Sequence, residues 1–228
     1  MSQLKVKDSI MLTDTMKTKI SSVIDLHANG LCRLKAMWED ERALFYDDKI
    51  GHSLDQLRRQ GAVFLGGPTS RDAIPDYLWR KDAHHYLRTA GFDGFIIAPE
   101  FRGQSYLLNT FKDDFTSSDF VHKWERVGLR HSKYRVFWVP RNREQLLGLT
   151  TNRELGQWMA IAENDKRVSE RLFIGWSDNA ISMGSVEYEI GTSHVGHALL
   201  NGANHYTSLE ELCNNVANMQ RQDIVPRF

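Results

Sequence analysis

Cysteine is scarce: the 228-residue chain has two, Cys32 and Cys213, far apart in the sequence. Such a pair has no metal-type spacing and implies two free thiols in a reducing cytoplasm. Neither sign of charge is in excess, with Lys+Arg and Asp+Glu both at 29. Bulk binding to a nucleic-acid backbone needs a surplus of Lys and Arg, so only a local basic groove is left open. No apolar run approaches the roughly 18 residues of a membrane-spanning helix. The start, Met1 to Asp8, lacks the apolar region of a signal peptide. A soluble cytoplasmic protein without membrane partners is expected. There are no repeats and no low-complexity segments.

Taken in order, residues 1–61 read as a helical N-terminal extension. Met16, Ile20, Val23, Ile24 and Leu26 recur at roughly helical spacing, with Asn29-Gly30 as a stop. Leu31 to Phe45 reads as a second helix through Leu34, Met37, Trp38 and Leu44, and Ser53 to Gln60 as a third, closed by Gly61. This segment is expected to lie on the main domain or on a partner subunit, with no chemistry of its own.

Residues 62–228 alternate strands and helices. Ala62–Leu65, Gly94–Ala98, Tyr134–Val139 and Leu172–Trp176 are apolar runs of the kind buried on both faces, and Val186–Ile190 is a candidate edge strand. Pro75–Ala90, Asp119–His131, a stretch through Glu154, and Leu209–Gln220 capped at Thr207/Ser208 read as helices. The pattern implies an α/β fold with a parallel sheet flanked by helices.

Ligands of open parallel sheets bind beyond the C-terminal ends of the strands. Four motifs converge there: Gly66-Gly67-Pro68-Thr69, Pro99-Glu100, Pro140-Arg141 and Thr150-Thr151-Asn152-Arg153-Glu154. The glycine pair is neither a P-loop nor a dinucleotide fingerprint, because no Gly-Lys-Ser/Thr and no third glycine follow. It admits two readings, a close backbone approach to a ligand or a plain turn. Glu154 also admits two. Thr151-x-x-Glu154 fits a structural capping box. Alternatively, Glu154 sits in the first helical turn, where the positive dipole end keeps a nucleophilic carboxylate ionised. Trp79 and Trp124 are core residues or walls of a base or sugar pocket. His194, His197 and His205 lack a carboxylate or cysteine at ligand spacing, so loop histidines outrank a zinc site. No metal or cofactor is expected.

The ordered set Val63-Phe64-Leu65-Gly66-Gly67-Pro68-Thr69, Trp79-Arg80, Gly91-Phe92-Asp93-Gly94, Pro99-Glu100, Trp124-Glu125, Phe137-Trp138-Val139-Pro140-Arg141 and Leu149-Thr150-Thr151-Asn152-Arg153-Glu154-Leu155-Gly156 resembles the nucleoside 2-deoxyribosyltransferase-like family. The resemblance spans residues 62 to 176. It implies a flavodoxin-like sheet and, at Glu154, a nucleophile that attacks C1′ of a nucleoside or nucleotide and expels the base. Another base or water would then resolve the glycosyl-enzyme intermediate. A positive charge develops on the sugar, and an adjacent carboxylate stabilises it.

On the same resemblance, Gly66, Gly67, Pro68 and Thr69 form pocket turns and Asn152 flanks the nucleophile. Arg80 and Arg141 are candidates for a phosphate or the base. Ser177-Asp178-Asn179 resembles a segment that completes a neighbouring subunit's pocket, which implies a homodimer or larger homo-oligomer. The chain departs from the family at three places. Phe64 stands near the position of a strand tyrosine that steadies the nucleophile. The loop Leu146–Leu149 offers no carboxylate for the leaving base. Ser132 or Lys133 replaces an aspartate at the start of a strand. Glu100 and Glu125 are the candidates for the missing acid. A nucleotide-sensing module that has lost turnover is the alternative function, and an oligomeric scaffold built on the N-terminal helices is a third.

Overall fold

The apolar runs become neighbours in one sheet, because each is hydrophobic on both sides and has to be covered twice. The computed structural model describes residues 32–46, 48, 54–68, 79–100, 118–140, 149–178, 180, 183–184 and 205–224. Within them the strands are β1 (Ala43–Leu44), β2 (Ala62–Gly66), β3 (Phe95–Ile97), β4 (Tyr134–Trp138), β5 (Leu172–Gly175) and β6 (His205–Tyr206). All pair in parallel, in the order β1-β3-β2-β4-β5-β6.

Setting β1 aside, the five remaining strands have the flavodoxin-like 2-1-3-4-5 order. Chain direction across the sheet reverses between β2 and β4, where Gly66 stands opposite Phe137. The crevice at this reversal is where such folds take their ligands.

Helices cover both faces. The helix at 32–39 is α1. It is followed by α2 (Leu54–Gln60), α3 (Trp79–Thr89), α4 (Ser118–His131), α5 (Leu149–Asn164), the single turn α6 (Lys166–Ser169) and α7 (Leu209–Ile224). On one face Phe64, Ile97, Phe137 and Ile174 meet Leu57 of α2, Trp124 and Leu129 of α4, and Leu155, Trp158 and Met159 of α5. On the other, Val63, Leu65, Val136 and Phe173 meet Ala83 and Leu87 of α3 and Leu212, Cys213 and Val216 of α7. Each buried aromatic or branched side chain contributes about 1.5–3 kcal/mol.

Local signals end and begin the helices as expected. After α3, Gly91 at φ 84 allows Phe92 N–H to reach Leu87 O (2.9 Å) and Gly91 N–H to reach Arg88 O (3.0 Å), a Schellman closure. Ser208 caps α7, its Oγ accepting from Glu211 N–H at 3.3 Å.

The structure departs from the sequence expectation in the N-terminal segment. The helix expected over Leu31 to Phe45 stops at residue 39, and β1 then adds a sixth strand to the sheet edge. Asp40 makes the break: its Oδ1 accepts from Arg42 N–H at 2.8 Å and its carbonyl from Ala43 N–H at 3.0 Å. Asp40 also holds α1 to α3 through His84 Nε2 (2.8 Å) and Arg88 Nε (2.7 Å). The histidine contact and the nearby guanidinium hold the Asp40 carboxyl well below the usual carboxylate range against the effect of burial. β6 was not expected from the sequence. The first expected helix (Thr13–Gly30), the Val186–Ile190 strand, His194 and His197 lie outside the described residues.

Candidate active site

The C-terminal ends of β1, β3, β2 and β4 carry, in space, Tyr46, Glu100, the Gly66–Pro68 turn and the approach to α5. The glycine turn is shaped by its protein neighbours. A Cβ on Gly67, at φ +154, would lie 2.3 Å from Trp138 O and 2.6 Å from the Trp79 ring. Close strand-to-helix contact therefore accounts for that glycine without a ligand. The turn's carbonyls anchor the start of α3: Trp79 Nε1 donates to Pro68 O (3.0 Å) and Arg80 Nη2 to Gly67 O (2.7 Å).

Arg80 is 2 % exposed. Its Nε donates to Leu65 O at 3.0 Å, and its Nη1 lies 3.6 Å from Glu100 Oε2. Its guanidinium also stands 4.7 Å from the Trp79 ring centroid. Every guanidinium nitrogen thus faces a protein partner, which makes Arg80 part of the frame and a fixed source of positive charge. Glu100 is equally buried; desolvation raises its pKa and Arg80 opposes the rise.

Glu154 lies half-buried on α5, whose other face carries Leu155, Trp158 and Met159 into the core. Because α5 already begins at Leu149, Thr151 and Glu154 are both inside it. Thr151 therefore does not act as the N-cap that the capping-box reading requires. Glu154 stands in the second turn, beyond the reach of most of the dipole effect. Its carboxyl is not held ionised as that reading expected. Burial first, and the Glu125 charge second, push its pKa up to about 7, against the opposing charges of Arg80 and Arg153.

Glu125 is supplied by α4. Gly128, one turn further on, lets this helix press on β2 and β3, since a Cβ there would come within 3.0 Å of Phe64 and 3.1 Å of Ile97. Tyr46 Oη donates to Glu125 Oε1 at 2.5 Å. Burial, then the Glu125 charge, raise the Tyr46 pKa far above its ordinary value, so the phenol remains a proton-bearing donor.

The turn holding Tyr46 is fixed at several points. Tyr46 N–H donates to Glu100 O (2.9 Å) and Phe45 N–H to Asp48 Oδ2 (2.8 Å). Trp124 Nε1 donates to Asp48 O (3.0 Å). The Tyr46 and Trp124 rings meet edge to face at 5.1 Å. Trp124 is thus a core residue that clamps the Tyr46 turn onto α4.

The structure accordingly gathers Glu154, Glu125, Glu100, Arg80 and the Gly66–Pro68 turn at one sheet edge. Asn152 is half-buried two residues before Glu154, and Asp178 is exposed beyond β5. Thr69, Arg141 and Asn179 lie outside the described residues. Tyr46 is the residue that sequence reasoning missed. It falls in the segment read as chemically inert, and the only signal for it was a short apolar pair, Ala43-Leu44, ahead of a tyrosine.

Among the described residues no group of three or more His, Cys, Asp or Glu is arranged to hold a metal ion. No helix among them is long and apolar enough to cross a membrane. No protein-family model matches the chain, and no curated protein matches it. The class that the fold defines is a flavodoxin-like α/β protein, in which the Glu125 charge acts on Glu154.

Proposed function

We propose that the chain cleaves or exchanges the N-glycosidic bond of a nucleoside or nucleotide, 2-deoxy sugars included, with Glu154 as the nucleophile. The observation that carries this reading is the placement of Glu154. It is a half-buried carboxylate beside a second one, on the helix that follows β4, at the edge where parallel sheets bind ligands. In the first step the Glu154 carboxylate attacks C1′ and the base departs. In the second, water or another base takes the sugar from Glu154. Negative charge at Glu154 stabilises the cationic sugar on the way in and out. Asp178 completing a second subunit's pocket in a homodimer belongs to the same reading.

Chromatographic measurement of base release from deoxynucleosides and nucleoside monophosphates, with and without a second base, tests the function. Glu154→Ala is expected to abolish release, and release that persists in it contradicts the assignment. A protein that keeps the pocket but has lost turnover would show a ligand-dependent rise in Tm without release of base.

A further inference from the structure

We propose that Glu125 is the general acid and base of this reaction and that Tyr46, carried in by the additional edge strand β1, is its positioning residue. This assignment rests on the glycosyl-transfer reading above and supplies an acid where Leu146–Leu149 offers none. Among the described residues two carboxylates, Glu100 and Glu125, compete for the role, and their surroundings separate them. Glu100 is 5 % exposed and its carboxyl faces the Arg80 guanidinium at 3.6 Å, while its backbone carbonyl accepts the Tyr46 N–H. That ion pair assigns the Glu100 carboxyl to the frame of the site.

Glu125 retains 16 % side-chain exposure and acts electrostatically on Glu154. Its two oxygens are differentiated. Oε1 accepts the Tyr46 hydroxyl, while Oε2 lies 3.6 Å from Nδ1 of the exposed His122. Tyr46 thus fixes the carboxyl's rotation and leaves Oε2 to exchange a proton. Among the described residues Glu154 and Arg80 also act on Tyr46, and His122 stands at the outer side of Glu125.

The proton that the reaction uses is the one Glu154 keeps up to about pH 7, where burial and the Glu125 charge oppose its ionisation. As the sugar becomes cationic, the negative charge is favoured at Glu154 and the proton at Glu125. Glu125 gives that proton to the departing base nitrogen, which takes the C1′–N electron pair while the Glu154 oxygen bonds to C1′. Glu125, now a carboxylate, then removes a proton from water or from the N–H of an incoming base. The nucleophile bonds to C1′, and the C1′–O electron pair returns to Glu154. Both carboxyls end as they began.

The test compares leaving groups that do and do not need a proton. Glu125→Gln keeps the size and the Tyr46 contact, and Tyr46→Phe removes only the hydroxyl. Base release in a single turnover, with protein in excess, is measured from deoxyadenosine monophosphate and from an N7-methylated deoxyguanosine monophosphate, whose base departs neutral without protonation. For deoxyadenosine monophosphate, the single-turnover rate is expected to fall on the order of a hundredfold or more in Glu125→Gln and about tenfold in Tyr46→Phe. The N7-methylated substrate is expected to change less than about threefold in either variant, a margin well inside the weakest acid–base contribution.

Equal losses on both substrates, or none on either, would overturn the role of Glu125. That result alongside an inactive Glu154→Gln leaves the glycosyl-transfer reading standing. Base release unaffected by Glu154→Gln would remove that reading and this assignment together. Because the N7-methylated substrate reports that the site is intact, a misfolded variant shows itself as loss on both substrates with a lowered Tm, and Tyr46→Phe then carries the comparison.

Discussion

Replacing Glu154 by Gln should stabilise the protein while abolishing its activity, and it should do so only above a defined pH. The Glu154 pKa stands at about 7 in the folded chain, against an ordinary value of 4.5. Between those values the unfolded chain has released its proton and the folded one has not. The folded state therefore binds more protons, and stability falls as pH rises through this window. Each pH unit corresponds to about 1.4 kcal/mol. Partial solvent screening at this half-buried site trims the total to about 2–3 kcal/mol at pH 8.5. For a chain of this length that corresponds to a rise in Tm of about 4–10 °C in Glu154→Gln. Urea denaturation of both proteins at pH 4.5 and at pH 8.5 measures it. The stability difference is expected to be near zero at the lower pH and to plateau above pH 7. A difference that does not depend on pH, or a Gln variant less stable at pH 8.5, would refute the electrostatic account. Glu125→Gln should lower the Glu154 pKa and shrink the effect, since the Glu125 charge is the second contributor after burial.

Three further outcomes follow from the frame of the site. Arg80→Met leaves Glu100 buried without its partner and is expected to cost about 3–5 kcal/mol in urea denaturation; adding Glu100→Gln should recover only part of the loss, because the Leu65 and Gly67 carbonyls also lose their donors. Gly67→Ala drives a methyl to within 2.3 Å of Trp138 O and should destabilise by about 3 kcal/mol or more. With a chromogenic disulfide reagent, the exposed Cys32 should react in the native protein and the buried Cys213, whose thiol burial pushes up, only after denaturation.

The central strands were legible in the sequence for a physical reason. A strand covered on both faces needs an unbroken apolar run, and Val63–Leu65, Phe95–Ile97 and Leu172–Ile174 are such runs, bounded by glycine or proline. β1 and β6 are two-residue strands held by a few backbone hydrogen bonds, too short for any periodicity to mark them. Missing β1 hid Tyr46, whose relevance depends on a partner 79 residues away.

That Glu154 lies on a helix following β4 was readable, but neither its turn nor its charge state was. The helix begins at Leu149, ahead of the threonines that read as its start, and burial and the Glu125 charge come from tertiary neighbours that no local pattern marks. Likewise the resemblance offered Arg80 as a candidate for a phosphate or the base, and only the fold reveals that Leu65, Gly67 and Glu100 face its nitrogens.

The claim that Glu154 is a glycosyl nucleophile is tested most directly by acid-quenching the protein with a deoxynucleoside monophosphate and weighing the protein and its peptides. The account predicts a mass increase equal to the deoxyribosyl phosphate, mapped to the peptide containing Glu154 and absent in Glu154→Gln. An adduct mapped to another residue, or base release undiminished in Glu154→Gln, would contradict it.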